Sequence, residues 1–240
     1  MVDEKIMNEI ERLLFTSFLN PKSLRIFISF KKEEDGGIAA EIKKTLENYG
    51  LEVFVAHDDI APSKDWQNEI VQQLKSCDVF IPLLTNSFPQ SPWTDQEVGI
   101  AIAHEKHIIP AKIDIDPYGF MAKYQALRFN KDDMDSSCSD IIDAICLNLF
   151  LKDKVMDCVI CYLSKVDTFN GSGKIIKLLS KHDDKFSKEQ INEIVRASNY
   201  NGQVHYCFVA KPILEGWLER YKDSIHPELA RRLLEKLGRS

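Results

Sequence analysis

The chain has no apolar stretch long enough to cross a bilayer. Its run Val79-Phe80-Ile81-Pro82-Leu83-Leu84 is six residues long, and a spanning helix needs about 20. There is no excess of basic charge either: 31 Lys and Arg stand against 37 Asp and Glu, a net charge of −6. A phosphate backbone is bound by a basic surface, so nucleic acid is not an expected partner, and neither is a membrane. No basic n-region and apolar h-region follow Met1, so a signal peptide is not expected. The six cysteines are then expected to be reduced thiols of a cytoplasmic protein. Internal repeats and low-complexity tracts are missing. So are G-x-S-x-G, H-E-x-x-H and G-x-G-x-x-G, which leaves esterase, zinc peptidase and Rossmann dehydrogenase readings without support.

What is present is a globular composition. Apolar residues make up 44% of 240, enough to bury the core of one large domain or two small ones. Ile6, Ile10, Leu13 and Leu14 fall on one helical face, which predicts an N-terminal amphipathic helix ended by Asn20-Pro21. From Leu24 the pattern alternates. Strands are expected at 24–30, 51–55, 78–84 and 108–113. Helices are expected between them, marked by Ile38, Ile42 and Leu46, by Trp66, Ile70 and Leu74, and over 94–105. Lys31 to Gly37 reads as a charged loop and Gly50 as the end of the first of these helices. Strands alternating with helices in this way indicate βαβ units and a parallel sheet.

Beyond about residue 130 the strand signals stop. A polar turn at 132–137 leads to a helix carrying Ile141, Ile145 and Leu149. Ser187-Lys188-Glu189-Gln190 is a capping box before Ile191 and Ile194. Further helices are expected at 213–221 and 227–237, and 204–209 is ambiguous between strand and helix. The expected organisation is an N-terminal helix (1–20), an α/β domain (21–150) and a helical C-terminal domain (151–240). The C-terminal part either stabilises the chain or senses a trigger or drives assembly.

In open parallel sheets, ligands bind beyond the carboxyl ends of the strands. Three loops follow strands here: 31–37, 56–65 and 85–93. Trp66 and Trp93 flank them. Glu97 lies four residues after Trp93, one helical turn along the same face. On spacing alone, a solvated acid beside a packed tryptophan is the commoner outcome. Three weaker signals carry structural readings. Cys158-Val159-Ile160-Cys161 lacks the second pair that a zinc site uses and reads as a packed helix. Gly171-Ser172-Gly173-Lys174 is not a complete phosphate loop and reads as a turn before a helix at 174–179. His57 reads as an exposed loop histidine.

The segment from Arg25 to about Phe129 resembles a bacterial-type TIR (Toll/interleukin-1 receptor) domain. The resemblance rests on Phe27-Ile28-Ser29-Phe30, Val53-Phe54-Val55, Asp59-Ile60-Ala61-Pro62 followed by Trp66, Leu83-Leu84-Thr85-Asn86-Ser87, and Ser91-Pro92-Trp93-Thr94-Asp95-Gln96-Glu97. It implies a flavodoxin-like α/β fold. It also implies either NAD+ cleavage, as in the TIR enzymes of Thoeris-like anti-phage defence, or non-catalytic TIR–TIR scaffolding. In the enzymatic reading Glu97 is the catalytic residue. Phe30, Lys31, Lys32, Asp59, Ile60, Trp66, Ser87 and Trp93 are the implied substrate-binding set. No cofactor or metal is implied, because NAD+ is the substrate. Self-association through the loop 57–65 is implied, as is a downstream effector that senses the product. Two departures stand out: Pro62-Ser63 replaces the usual Pro-Gly, and Lys31-Lys32 stands where arginine is common. Lysine meets a diphosphate as a point charge and cannot grip it bidentately. A nucleoside or deoxyribose transferase on a similar sheet is a further reading, since it too would use a glutamate.

Overall fold

The computed structural model describes residues 16–55 and 66–238. Residues 1–15 of the expected N-terminal helix and the loop 57–65 lie outside the described residues; 16–20, the described end of that expected helix, is not helical, as the turn into Asn20-Pro21 disfavours it. The chain gathers into two compact units. One comprises Ser23–Glu47 and Leu51–Val155; the other joins the described residues up to Lys22, Asn48–Gly50, and the chain from Met156 on.

The first unit is built on parallel strands. They are β1 (Arg25–Ser29), β2 (Glu52–Val55), β3 (Val79–Leu84), β4 (His107–Ile108), β5 (Ala111–Lys112) and β6 (Leu127–Arg128). The order is β2-β1-β3-β5-β6, and β4 also pairs with β3. This is the flavodoxin-like order, in which the chain reverses its direction of winding between β1 and β3. Every residue of β3 is buried, as a strand covered on both faces requires. Phe27 pairs in register with Phe54 on one side and Phe80 on the other. Their rings follow the register, with centroids 5.2 and 5.8 Å apart.

The expected strand 108–113 is split in two. β4 lies beside Val79 and Phe80, and β5 beside Leu83 and Leu84. The break falls at Ile109-Pro110, opposite Ile81-Pro82. Neither proline has an N–H to give to a ladder, so pairing lapses where the two face each other. β6 is only two residues long, too short to set up a period that the sequence could reveal.

Helices α1 (Lys32–Glu47), α2 (Trp66–Ser76), α3 (Thr94–Ala103) and α4 (Met134–Cys146) complete this unit. α1 begins earlier than expected, because Lys32–Gly37 is helical and not a loop. Glu34 and Asp35 fall in its first turn, where the helix dipole favours acids. They offset part of the propensity cost of Gly36 and Gly37. Asp133 caps α4 by accepting from the Ser136 N–H. α4 stops at Cys146, so Leu149 is not on its buried face and is 85% exposed.

The regular elements of the second unit, among its described residues, are all helices. α5 (Lys152–Tyr162) spans the division between the units. It is followed by α6 (Phe169–Lys181), α7 (Lys188–Tyr200), α8 (Gly202–His205), α9 (Ala210–Arg220) and α10 (Pro227–Lys236). The ambiguous segment 204–209 resolves into the end of α8 and a turn. Both bonds of the capping box form at Ser187 and Gln190. The Gly171-Ser172-Gly173-Lys174 segment is not a turn before a helix but lies within α6, whose N-cap Thr168 accepts from the Gly171 N–H. On α5, the buried Cys158 thiol turns to the Lys22 carbonyl at 3.5 Å. Among the described residues no three His, Cys, Asp or Glu side chains group as a metal site. No helix among them is long and apolar enough to cross a membrane.

Candidate functional site

The carboxyl ends of β1 and β3 mark the reversal point of the sheet, and the site is built there. After β3 the chain makes a short 3₁₀ turn at Phe88–Gln90. Phe88 is fully buried, and its carbonyl accepts from Thr94 Oγ1 at 2.8 Å. That bond fixes where α3 starts. Trp93 is its N-cap residue, and the Glu97 N–H closes the first α-turn on the Trp93 carbonyl at 2.9 Å. Trp93 and Glu97 therefore share a face, as their spacing predicts.

Glu97 is not the solvated acid that spacing alone favours. It is 3% exposed. Its Oε2 accepts from the hydroxyl of Ser29, the last residue of β1, at 2.5 Å. Burial pushes the Glu97 carboxyl up to about 7, and the Ser29 hydrogen bond pulls in the opposite direction. Desolvation dominates because a charge is costly to hold away from water. The position in the first turn of α3 favours the ionised form, since N-terminal dipoles attract anions.

Glu97 opens onto a cleft of about 260 Å³ between α2 and α3. Trp66 and Ile70 line it from α2, and Trp93, Gln96 and Ile100 from the α3 side. The two indoles meet edge-on, with centroids 4.6 Å apart and planes at 83°. An aromatic, water-poor wall around one carboxylate is suited to holding a flat ring and to stabilising positive charge that develops beside it.

A second polar cluster joins α1 to the loop after β3. Asp35, Thr85 and Ser87 are all buried. Asp35 Oδ2 accepts from Thr85 Oγ1 and from Ser87 Oγ, each at 2.8 Å. The two hydroxyls also lie 2.8 Å from each other. Lys31 Nζ donates to Glu34 Oε1 at 2.9 Å and to Gln90 Oε1 at 3.3 Å. The Lys31 hydrogen bond holds the Glu34 carboxyl below its usual range.

The structure thus brings together three of the expected residues, Glu97, Trp93 and Trp66. Ser87 and Lys31 are placed in the second cluster, with Ser87 turned to Asp35. Phe30 is buried at 2% exposure. Asp59, Ile60 and the Lys32 side chain lie outside the described residues. Sequence reasoning assigned no role to Ser29, yet a signal was available. It is the one hydroxyl in a strand buried on both faces, and a buried hydroxyl needs a partner.

Residues 26–142 match the family model described as TIR domain. This segment is a TIR domain. No curated protein matches the chain. The TIR domain carries both clusters and the cleft. TIR domains commonly self-associate, and the family holds both NAD+-cleaving and non-catalytic members.

Proposed function

We propose that the protein cleaves the nicotinamide–ribose bond of NAD+, with Glu97 as the catalytic residue. The observation that carries this reading is the buried Glu97 carboxylate, tied to Ser29 by one oxygen and set in the wall of a tryptophan-lined cleft. NAD+ carries nicotinamide as a pyridinium. When the C1′–N bond breaks, the ring takes the bonding pair and leaves neutral, so no general acid has to protonate it. Glycosides with poorer leaving groups use two carboxylates for that reason. What remains is a ribose with oxocarbenium character, and one preorganised carboxylate offsets its charge.

The cleft, at about 260 Å³, falls just under the roughly 300–1,000 Å³ of sites that enclose a drug-sized ligand. It suits the nicotinamide end of the dinucleotide, with Trp93 or Trp66 against the ring. The remainder of NAD+ extends toward the carboxyl ends of β1 and β3. Attack by water on C1′ gives ADP-ribose and a proton. Attack by an adenine nitrogen or a ribose hydroxyl of the same molecule gives a cyclic isomer. Self-association through the loop 57–65 completes the site in this reading, so specific activity rises with protein concentration. The product serves as a signal to a downstream effector, or NAD+ is depleted, in anti-phage defence.

The test offers NAD+ and a panel of nucleosides side by side and resolves the products by mass. Nicotinamide with ADP-ribose or its cyclic isomer supports the reading. Base exchange on nucleosides with NAD+ untouched would make this a transferase. Turnover of neither, by concentrated wild-type protein, would favour a scaffold.

A further inference from the structure

We propose that Ser29 is a positioning residue for Glu97: by holding Oε2 from the end of β1, its hydroxyl leaves Oε1 as the oxygen turned to the cleft. The inference rests on the reading of Glu97 as the catalytic carboxylate.

Ser29 stands on the most constrained part of the sheet. β1 is paired along its length, with β2 through Ile28↔Val55 and with β3 through Ser29↔Pro82. Its side chain is fully buried, so water cannot replace the carboxylate as partner to the hydroxyl. The Ser29 hydroxyl donates to Glu97 Oε2 at 2.5 Å, and such a bond is about twice as strong to an ionised oxygen as to a neutral one. Among the described residues, Oε1 has no hydrogen-bond partner, and Glu97 itself lines the cleft. A glutamate has three side-chain torsions, and a carboxylate in a loose rotamer loses the advantage of preorganisation. One oxygen anchored to a rigid strand removes that freedom and leaves the other free for C1′ or a ribose hydroxyl.

The surroundings make this hydrogen bond decisive for the protonation state as well. The cleft residues of α2 and α3 other than Glu97 are uncharged, and so is β1 from Ile26 to Ser29. The only charge neighbouring Glu97 in the first turn of α3 is Asp95, which is exposed and accepts from Tyr118 OH at 2.7 Å. Burial raises the Glu97 carboxyl, and the Ser29 hydrogen bond opposes it alongside the start of α3.

The experiment compares wild type, Ser29→Ala and Glu97→Ala by two readouts. The first is the pH profile of nicotinamide release from NAD+, with kcat and KM separated. The second, which needs no turnover, follows the Glu97 carboxyl with pH by carbon-13 NMR of glutamate-labelled protein, assigned by its loss in Glu97→Ala. In Ser29→Ala, kcat is expected to fall about tenfold or more. KM should stay within about twofold, and both the acid limb and the carboxyl titration should move up by about one unit. Equal kcat and an unmoved carboxyl titration in a folded Ser29→Ala protein would overturn the inference while leaving the Glu97 reading intact. Undiminished release by Glu97→Ala would instead overturn that reading, and the NMR titration would still decide whether Ser29 governs the carboxyl.

Discussion

The indole of Trp66, the first residue of α2, meets that of Trp93, the N-cap residue of α3, edge-on at 4.6 Å. The contact joins the two helices at the mouth of the cleft that holds Glu97. Edge-to-face aromatic pairs contribute about 0.5–1.5 kcal/mol beyond the area they bury. Trp93→Ala removes both this contact and a ring surface for nicotinamide. KM for NAD+ is expected to rise about tenfold, corresponding to about 1.4 kcal/mol, with a smaller change in kcat. Steady-state kinetics check this; an unchanged KM would exclude Trp93 from the ring site.

Glu97 should also cost the protein stability at neutral pH. Its carboxyl is raised in the folded protein to about 7 from a model-peptide value near 4.5. The folded state therefore binds more protons than the unfolded state between these values. Stability is greatest below about 4.5 and falls as pH rises through about 7. Glu97→Gln is neutral at every pH and escapes the loss. It should be more stable than wild type at pH 8 by ~3 kcal/mol at most, and the difference should shrink toward pH 5. Urea titrations of both proteins at the two pH values measure it. Equal differences at pH 5 and pH 8 would mean that Glu97 is ionised throughout.

Asp35 holds two buried hydroxyls with one oxygen. Asp35→Ala removes the buried acceptor that Thr85 and Ser87 share, and an unsatisfied buried polar group costs about 1–3 kcal/mol. A loss of about 2 kcal/mol is expected, with a smaller loss for Asp35→Asn, which keeps an acceptor. The urea midpoint should drop at constant slope; no drop would show that Asp35 does not anchor α1 to the loop after β3.

The sheet was largely readable from the chain because β-branched and aromatic clusters at β1, β2 and β3 are separated by helical periods. The face shared by Trp93 and Glu97 was readable from a four-residue spacing. Their burial was not, because it depends on α2 packing against α3 and on Ser29 arriving from β1, 68 positions earlier. The start of α1 was misread because Gly36-Gly37 looks like a loop, whereas the acids ahead of it suit a first helical turn. The split of the fourth strand depends on two prolines facing each other across strands, which no local window contains.

Gly50, past the end of α1, has φ +80°, and a Cβ there would lie 2.8 Å from the Cys158 carbonyl oxygen and 2.9 Å from Tyr162 Cβ. Gly50→Ala combines left-handed backbone strain with a contact to backbone that cannot turn aside. The expected loss is at least ~2 kcal/mol. Thermal and urea unfolding test it; a loss under about 0.5 kcal/mol, typical of neutral surface changes, would contradict the geometry.

The central claim is that the buried Glu97 carboxylate drives cleavage of NAD+. Its most direct test is nicotinamide release by concentrated wild-type protein beside Glu97→Gln, which keeps the shape of the side chain and removes its charge. The expected result is release by wild type and a fall of about 100-fold or more in the variant, the scale of losing one preorganised electrostatic group. Equal release by the two proteins would contradict the claim.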